Sequence, residues 1–535
     1  MATTDWWRSA VIYQVYPRSF ADSTCDGIGD LGGVIDHLDH LGELGVDAVW
    51  LSPFYPSPQN DGGYDVADYR DVDPLFGDLD QFDRLVAKAH EAGLRVIIDI
   101  VPNHTSSEHA WFQEALRASP GSPERSRYII RDVPVNNWGS VFGGPAWSRM
   151  ADRGADDDQW YLHLFDATQP DLDWTNHEVR DAFLSILRFW LDRDVDGFRV
   201  DVAHGLVKDL DAPDVTRHDA DVDAETRRPM WDQDGVHEIY REWRKVLDDY
   251  DDRMMVAEAW VLDSERVALY VRPDEFHQTF NFEFLTARWD AGDLRKVIDD
   301  TIRSTVGVGA PMTWVLSNHD VIRHATRLAL PPGQERRNGL GPKHPQPDAD
   351  LGLRRARAAT LLMLALPGSA YLYQGEELGL PEHTTLPPEA RQDPTFERTD
   401  GEELGRDGCR VPLPWQADEP GYGFGPTEKT WLPQPDSFAA HAVDVQSSDP
   451  ESTLSMYRNA LAVRKEHDLG TGELEWLRTE NEVLSFRNGS ITVVANAGER
   501  PLSLPDYGEV IIASRAVSSE VPPDTTVWIR HGQSQ

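Results

Sequence analysis

The sequence predicts an α/β protein built on eight parallel strands that close into a (β/α)8 barrel. Short apolar runs bounded by turn residues alternate with longer stretches in which apolar residues recur at helical spacing. A strand that is buried on both faces is expected to be apolar throughout, as these runs are. The predicted strands are residues 11–16, 48–52, 96–101, 197–202, 254–258, 280–282, 313–316 and 370–373.

Helical patterns separate these strands. The first is marked by Val34, Leu38 and Leu41, and the strongest precedes the fourth strand, with Val179, Phe183, Ile186, Leu187 and Trp190. Parallel strands need crossover connections, which helices of this length supply. The alternation therefore favours a barrel with an outer ring of helices.

Two segments depart from the alternation. Residues 105–174 contain many Pro, Gly and aromatic residues, and a structureless loop of that length is improbable in a compact protein. Short strands separated by turn residues at 483–486, 491–494 and 510–512 are typical of an all-β domain. We predict a catalytic barrel formed by residues 1–104 and 175–466, an inserted small domain at 105–174 and a C-terminal β-sandwich domain at 467–535. Long loops after strands four (205–236), seven (331–350) and eight (381–433) are expected on the face where the strands end.

The composition of the chain limits the kinds of molecule that the protein is expected to bind. The 535 residues include 51 Lys and Arg against 92 Asp and Glu, a net charge of −41. This charge argues against nucleic acid or an anionic membrane as partner and disfavours a negatively charged substrate. Two cysteines, Cys25 and Cys409, predict no disulfide framework. Without a signal-peptide pattern or an apolar run of spanning length, we expect a cytoplasmic monomer or homodimer.

Charged side chains cluster where the predicted strands end. Arg199 and Asp201 are two residues apart on the fourth strand, so both project from the same face. A structural ion pair would explain that strand alone. The third, fifth and seventh strands, however, also end in polar residues: Asp99, Asn103, His104, Glu258, Asn318, His319 and Asp320. Because like charges brought together are destabilising, a ring of carboxylates on one barrel face predicts a functional site.

Two kinds of chemistry fit such a ring. A metal centre is disfavoured because the histidines come from distant strands and no His-x-x-x-His or Cys pair supports zinc. Carboxylates alone suit cleavage of a glycosidic bond, in which one attacks the anomeric carbon and another protonates the leaving oxygen. The transition state is cationic, so nearby negative charge stabilises it.

Five motifs carry a resemblance to a known family. They are DIVPNHTS at 99–106, QPDLDW at 169–174, GFRVDVAH at 197–204, EAW at 258–260 and SNHD at 317–320. On these motifs the chain resembles glycoside hydrolase family 13, the α-amylase clan, and within it the α-glucosidase and oligo-1,6-glucosidase branch. The resemblance covers essentially the whole chain and implies a TIM barrel.

The resemblance also implies a retaining, double-displacement mechanism. Asp201 matches the nucleophile, Glu258 the general acid and base, and Asp320 the third carboxylate, which binds sugar hydroxyls. Substrate-binding roles are implied for Asp61, Tyr64, His104, Arg199, His319 and Arg410, with Asp99 as a partner of Arg199. In the run after Arg410, Leu413 and Pro414 stand where the branch has Met and Gln, so the match of Arg410 departs from the family pattern.

The loop after the first strand resembles the calcium loop of this branch. Oxygen ligands at alternate positions, as a hard cation requires, would come from Asp22, Thr24, Asp26, Ile28 and Asp30. The branch usually has Asn where this chain has Thr24. A plain acidic turn without a metal is the alternative.

The expected function is an exo-acting α-glucosidase that releases α-D-glucose from the non-reducing end of short α-glucosides. An oligo-1,6-glucosidase and a transglucosidase are the alternatives. A non-enzymatic relative would have a membrane anchor and a degraded carboxylate set, and this sequence shows neither. Val202, after the nucleophile, favours α-1,6 linkages, whereas the run Val-Ala-His-Gly at 202–205 is closer to maltose-type enzymes, so the linkage stays open. The expected partner is a small oligosaccharide substrate.

Overall fold

The structure is a computed structural model of the chain. It describes residues 5–212, 214, 228–261, 263–334, 337–478, 482–504 and 508–531. Parts of the predicted loops at 205–236 and 331–350 lie outside the described residues.

Eight strands form the barrel sheet, and every hydrogen-bonded pair in it is parallel. The sheet follows the chain order β7-β8-β1-β2-β3-β4-β5-β6 and is nearly closed, with β6 and β7 at its two edges. The predicted barrel is therefore confirmed. Its strands β1 to β8 are Val11–Val15, Ala48–Leu51, Arg95–Ile100, Gly197–Val200, Met254–Ala257, Gln278–Thr279, Thr313–Val315 and Ser369–Tyr373.

Helices surround the barrel, and most of them carry a side-chain cap at the first turn. Asp78 and Asn176, for example, accept hydrogen bonds from backbone N–H groups of the helices that follow them. The α-helices are Leu31–Asp36, Leu38–Leu44, Leu79–Glu91, Ala110–Arg117, His177–Leu191, Val236–Leu247, Ser264–Tyr270, Phe282–Thr286, Ala291–Val308, His324–Arg327, Ala349–Leu364, Pro394–Arg398, Val443–Ser447 and Thr453–Glu466. Their apolar faces pack against the strands in one continuous core.

The sixth strand begins earlier than the prediction of residues 280–282. It is Gln278–Thr279, which pairs with β5, and Phe282–Thr286 is a short helix. The Asn281 side chain accepts from Phe284 N at 2.9 Å and caps this helix. This local hydrogen bond competes with the sheet and ends the strand.

The inserted segment after β3 carries a small antiparallel sheet made of Ile130–Arg131, Trp160–Leu162 and Trp147–Arg149, in that order. Lys208, on the loop after β4, ties this segment to the barrel. Its Nζ lies 2.9 Å from Asp171 Oδ2 and donates to Asn103 Oδ1 at 2.8 Å. One buried ammonium group therefore joins the inserted segment to the ends of two barrel strands.

The C-terminal part is antiparallel. Its main sheet consists of Leu474–Trp476, Val483–Asn488, Ile491–Asn496, Thr525–His531 and Gly508–Ala513, and Leu502–Ser503 pairs separately with Glu520–Val521. Val494, Val521 and Val527 belong to a small core of this part. Trp528 belongs to the main core and donates from Nε1 to Leu361 O at 3.0 Å. The sheet thus packs on the outer helix Ala349–Leu364 of the barrel.

Candidate active site

The carboxyl ends of the parallel strands place the predicted carboxylates on one face. Asp99 on β3 and Arg199 on β4 are register partners. Asp201 follows β4, Glu258 follows β5 and Asp320 lies on the loop after β7. In a parallel barrel these strand ends all open onto the same rim.

Arg199 lies at the centre of the cluster and is 1% exposed. Its Nη1 donates to Asp201 Oδ1 at 2.6 Å and to Asp99 Oδ1 at 2.7 Å. Its Nη2 lies 2.7 Å from Glu258 Oε2. One guanidinium group therefore contacts carboxylates from three neighbouring strands, which fixes their positions relative to one another.

Glu258 is oriented by two further donors. The backbone N–H of Val202 donates to Oε2 at 2.9 Å, and the indole of Trp260 donates to Oε1 at 3.0 Å. Val202 has a left-handed backbone, with φ of 46°, which is strained for a β-branched residue. This turn directs the Val202 N–H at Glu258, so the strain lies at the site itself.

Asp320 is held by two arginines on the loop after β8. Arg406 Nη1 and Arg410 Nη2 donate to its Oδ1 at 3.1 Å and 3.0 Å. Arg406 also donates to Asp61 Oδ1 at 2.6 Å and to Asp393 Oδ2 at 2.5 Å. A second guanidinium group therefore gathers carboxylates from the loops after β2, β7 and β8.

Two aromatic rings form the base of the site. Tyr64 and His319 are stacked, with ring centroids 5.1 Å apart and planes at 6°. The Tyr64 hydroxyl donates to Asp99 Oδ2 at 3.1 Å. Gln14 Nε2 lies 2.7 Å from His319 Nδ1, so Nδ1 accepts and Nε2 carries the proton. His319 Nε2 lies 3.2 Å from Asp320 Oδ2 but has no hydrogen-bond partner among the described residues.

His104 and Asp61 lie beside these rings. His104 Nε2 is 3.0 Å from Tyr64 O, and its Nδ1 is 3.1 Å from Asn103 Nδ2, so both ring nitrogens have protein partners. Asp61 Oδ2 accepts from Gln169 Nε2 at 3.0 Å. Both residues line the cavity, as the predicted substrate-binding set requires.

These groups surround a cavity of about 330 Å³. Its polar lining includes Asp61, Tyr64, His104, Asp201, Glu258, His319, Asp320 and Arg406. Arg199 lies behind Asp201, and Arg410 behind Asp320. The cavity is the size of a small-molecule site.

The chain resembles known proteins over almost its whole length. Residues 14–472 match the family described as alpha amylase, catalytic domain. A probable alpha-glucosidase of Rhizobium meliloti (strain 1021) is 40% identical over 507 residues, which cover 90% of this chain and 87% of that protein. A trehalose-6-phosphate hydrolase of Escherichia coli (strain K12) is 35% identical over 534 residues, which cover 92% and 90%. The crystal structure of an alpha-glucosyl transfer enzyme has a TM-score of 0.85 and 36% identity, and covers 99% of this chain and 100% of that one.

The chain belongs to glycoside hydrolase family 13, the α-amylase family. The family resemblance predicted from five motifs is thus confirmed, and the protein is a glycoside hydrolase. Among the residues that the structure describes, no helix has the length and apolar character needed to cross a bilayer. The residue roles, the calcium, the compartment and the oligomeric state stay predictions.

Burial and neighbouring charges shift the pKa values of three carboxyl groups in the site of this glycoside hydrolase. Burial raises the pKa of Asp99 to about 6 although Arg199 opposes the shift. Burial likewise raises the pKa of Asp201, and the nearby carboxylates of Glu258 and Asp99 add to the effect. For Asp320, burial is outweighed by the positive charges of Arg406 and Arg410, which hold its pKa well below the usual range.

The two site histidines are neutral at neutral pH. Burial lowers the pKa of His104 to about 4 and holds that of His319 well below its usual value. A neutral imidazole offers one donor and one acceptor rather than a charge. The positive charge in contact with Asp201, Glu258 and Asp320 therefore comes from arginine.

Sequence reasoning missed several residues that line the cavity of this family 13 enzyme. Arg406 is the most important, since it contacts Asp61 and Asp320 from a long loop. The others are mostly apolar and include Val141, Phe142, Phe165, Trp231, Leu285 and Val321. Charge balance could have indicated Arg406, because Asp61 and Asp320 needed a cation and Arg406 lies four residues before Arg410.

The predicted calcium loop is internally hydrogen-bonded. Asp22 accepts from the backbone N–H groups of Thr24, Cys25 and Gly27 at 2.8 Å each. Asp30 accepts from Gly33 N at 2.7 Å and caps the next helix. Within the described residues, no group of three His, Cys, Asp or Glu side chains is arranged to hold a metal ion. Calcium binding here stays a prediction that requires these carboxylates to turn.

We predict that the metal, if bound, acts on stability more than on turnover, because the loop precedes the helix Leu31–Asp36 and lies outside the cavity lining. Added calcium should raise the melting temperature over that in EDTA at matched ionic strength, because the unfolded chain scarcely binds the ion. Thr24→Asn should enlarge the difference. Equal melting temperatures, with no metal by elemental analysis, would leave the loop a plain acidic turn.

We predict that Asp201→Asn lowers turnover by roughly three orders of magnitude or more while stabilising the fold at alkaline pH. The raised pKa of Asp201 means that the native state binds protons more tightly than the unfolded chain. That contribution to stability is present at acidic pH and is lost as pH rises through the native pKa. The Asp201→Asn variant has no ionisable group at this position, so its stability does not fall for this reason as pH rises.

The melting temperature of Asp201→Asn minus that of the parent enzyme should therefore be higher at pH 8 than at pH 5. Asp251→Asn, at an exposed position, is the matched control and should give the same difference at both pH values. A relative melting temperature that stays the same or falls from pH 5 to pH 8 would contradict the raised pKa of Asp201.

Proposed function

We propose that the protein is a retaining, exo-acting α-glucosidase that releases glucose from short, neutral α-glucosides. The observation that carries retention is the closeness of Asp201 and Glu258, which both contact the Arg199 guanidinium group, at 2.6 Å and 2.7 Å. Inverting enzymes separate their two carboxyl groups by roughly 6.5–9.5 Å to admit a water between them. Two carboxylates held by one guanidinium group fit the closer spacing of retaining enzymes instead.

In the first step, Asp201 attacks the anomeric carbon and Glu258 gives its proton to the leaving oxygen. Arg199 favours the ionised form of Asp201, which is the form that attacks. Asp320 stays ionised between Arg406 and Arg410 and faces the positive charge that develops on the sugar.

In the second step, the Glu258 carboxylate takes a proton from water, and the water oxygen displaces Asp201 from the anomeric carbon. The donors from Val202 and Trp260 keep Glu258 in place through both steps. Two successive inversions give net retention, so the product is α-D-glucose.

Contacts at the closed end of the cavity support attack at chain ends. Arg406 joins Asp61 to Asp320, which links the loops after β2, β7 and β8. Arg398 donates to Gly143 O at 2.9 Å and to Asp166 Oδ2 at 3.2 Å, which joins the loop after β8 to the inserted segment. Such bridges leave room for one sugar beyond the cleaved bond and no path for a longer chain.

Charge in the cavity favours a neutral substrate over a phosphorylated one, although one relative is named a trehalose-6-phosphate hydrolase. Three arginines line the described part of the cavity. Arg327 donates to the backbone carbonyls of Leu285 and Ile322, and Arg406 is engaged with three carboxylates. Of the arginines in the described lining, only Arg337, which contacts Gln334 Oε1 at 3.4 Å, lacks a carboxylate or backbone carbonyl partner, which is little positive charge for a phosphate dianion.

Stereochemistry is the test of the mechanism. We expect ¹H NMR of maltose or isomaltose hydrolysis to show α-glucose as the first anomer from the non-reducing end, before mutarotation. Trehalose 6-phosphate, offered at the same concentration, should be turned over at least ten times more slowly. Initial β-glucose would disprove retention, and a preference for the phosphorylated sugar would disprove the neutral substrate class.

The mode of attack is tested with maltotetraose labelled at its reducing end. We expect unlabelled glucose and labelled maltotriose as the first pair of products, because the bridge from Arg406 to Asp61 closes the cavity. Early labelled maltose or labelled glucose would indicate internal or reducing-end cleavage and would contradict the pocket.

A further inference from the structure

The turn at residues 202–205 holds Glu258, the proton donor in the function proposed above, by its side chain and by its backbone. Val202 N donates to Glu258 Oε2 at 2.9 Å, and Ala203 N donates to Glu258 O at 2.8 Å. Gly205 N donates to Val202 O at 2.9 Å and closes the turn. The orientation of Glu258 therefore depends on the shape of a turn whose first residue, Val202, is strained.

Trp231 and Asp232 support this turn from outside. Asp232 N donates to His204 O at 2.7 Å, and the Trp231 ring packs on the His204 ring with centroids 4.9 Å apart and planes at 33°. A Cβ atom added to Gly205 would lie 2.9 Å from Trp231 Cζ3, so the indole rests directly against the backbone of the turn. Strained backbone keeps its conformation only where its surroundings enforce it, and these contacts do so here.

Asp232 is itself fixed by the helix Ser264–Tyr270. Its Oδ1 accepts from the Tyr270 hydroxyl at 2.8 Å, and its Oδ2 accepts from Arg266 Nε. Arg266 Nη2 also donates to Asp232 O at 3.1 Å. Asp232 has a left-handed backbone, with φ of 54°, and is buried. We call Asp232, Arg266 and Tyr270 the Asp232 clamp.

The Asp232 clamp joins the ends of the two strands that carry the reacting carboxylates. The helix Ser264–Tyr270 follows β5 and Glu258, whereas Asp232 lies on the loop that follows β4 and Asp201. The three clamp residues lie outside the described cavity lining. Their contacts run from the helix through Asp232 to the turn at 202–205, and from the turn to Glu258.

We infer that the Asp232 clamp positions Glu258 for proton transfer. It keeps the strained turn in the shape that directs the Val202 N–H at Glu258 Oε2, and it acts through that turn without touching the substrate. The inference rests on the proposed role of Glu258 and adds three positioning residues to it.

Two substrates separate protonation from the rest of the reaction. The glucose released from maltose departs as an alkoxide that needs a proton from Glu258, whereas α-D-glucosyl fluoride releases fluoride, a weak base that needs little protonation. Both substrates form the same glucosyl-enzyme on Asp201. A misplaced Glu258 therefore lowers kcat/KM for maltose and spares that for glucosyl fluoride, whereas a general distortion of the site lowers both.

Asp232→Asn tests the clamp with little change in shape. Asparagine tolerates a left-handed backbone, but its amide has one acceptor oxygen and cannot serve both Arg266 and Tyr270 on its two sides. We expect kcat/KM for maltose to fall about tenfold, since a misplacement of about 1 Å can cost about a hundredfold and other donors still hold Glu258. The value for glucosyl fluoride should change less than about threefold, because its leaving group needs little protonation.

A second variant and a control accompany it. Tyr270→Phe removes one hydroxyl from the clamp and should lower kcat/KM for maltose about threefold, again sparing glucosyl fluoride. Asp234→Asn makes the same change as Asp232→Asn two residues away, where the side chain is 71% exposed and accepts from Arg266 Nη2 at 2.9 Å. Exposed ion pairs contribute little, so this control should keep both values within about twofold of the parent enzyme.

Glu258→Gln separates the inference from the proposed function. If Glu258 is the acid, this variant should lose about a hundredfold or more on maltose and far less on glucosyl fluoride. Equal losses would reject Glu258 as the acid, and the inference with it.

Once Glu258→Gln shows that selectivity, the clamp variants decide the inference alone. Unchanged kcat/KM for maltose in Asp232→Asn and Tyr270→Phe, or equal losses on the two substrates, would overturn it and leave the proposed function intact. If Asp232→Asn does not fold, Tyr270→Phe decides by the same ratio.

Discussion

Arg199 contacts the carboxylates of Asp99, Asp201 and Glu258 at 2.6–2.7 Å while almost wholly buried, and the catalytic face depends on that arrangement. Each carboxylate comes from a different strand end, so the register of β3, β4 and β5 must be correct before the three can meet. Removing one partner of a buried ion pair typically costs about 3–5 kcal/mol because the other charge is left without compensation. The network therefore couples the barrel fold directly to the chemistry.

The same network contains more negative than positive charge. Three carboxylates share one guanidinium group, and the repulsion between them adds to burial in raising the pKa values of Asp99 and Asp201. In the free enzyme this excess is destabilising, and it is relieved when a sugar with a developing positive charge occupies the cavity. The unbalanced negative charge lowers the stability of the folded enzyme, and the same charge stabilises a cationic transition state. The strained Val202 turn, which directs an N–H at Glu258, follows the same principle.

Local patterns in the sequence were sufficient for most of the barrel, because a buried parallel strand is apolar throughout and few other elements are. They also located Asp201, Glu258 and Asp320, since strand ends are where a barrel places its chemistry. The sixth strand was misplaced because Asn281 caps a helix, and a short apolar run does not reveal which of two local hydrogen-bond patterns prevails. Arg406 was missed because its position depends on how a long loop folds back over the rim, which no periodicity records.

Covalent trapping tests the central claim, that Arg199 holds Asp201 ready to attack the sugar, most directly. The enzyme would be incubated with 5-fluoro-α-D-glucosyl fluoride, which slows breakdown of a glycosyl-enzyme, then digested with pepsin at low pH and analysed by mass spectrometry. The account predicts one fluoroglucosyl group, attached to the peptide that contains Asp201. A label on Glu258 or Asp320, or no label in an enzyme that hydrolyses maltose normally, would contradict it.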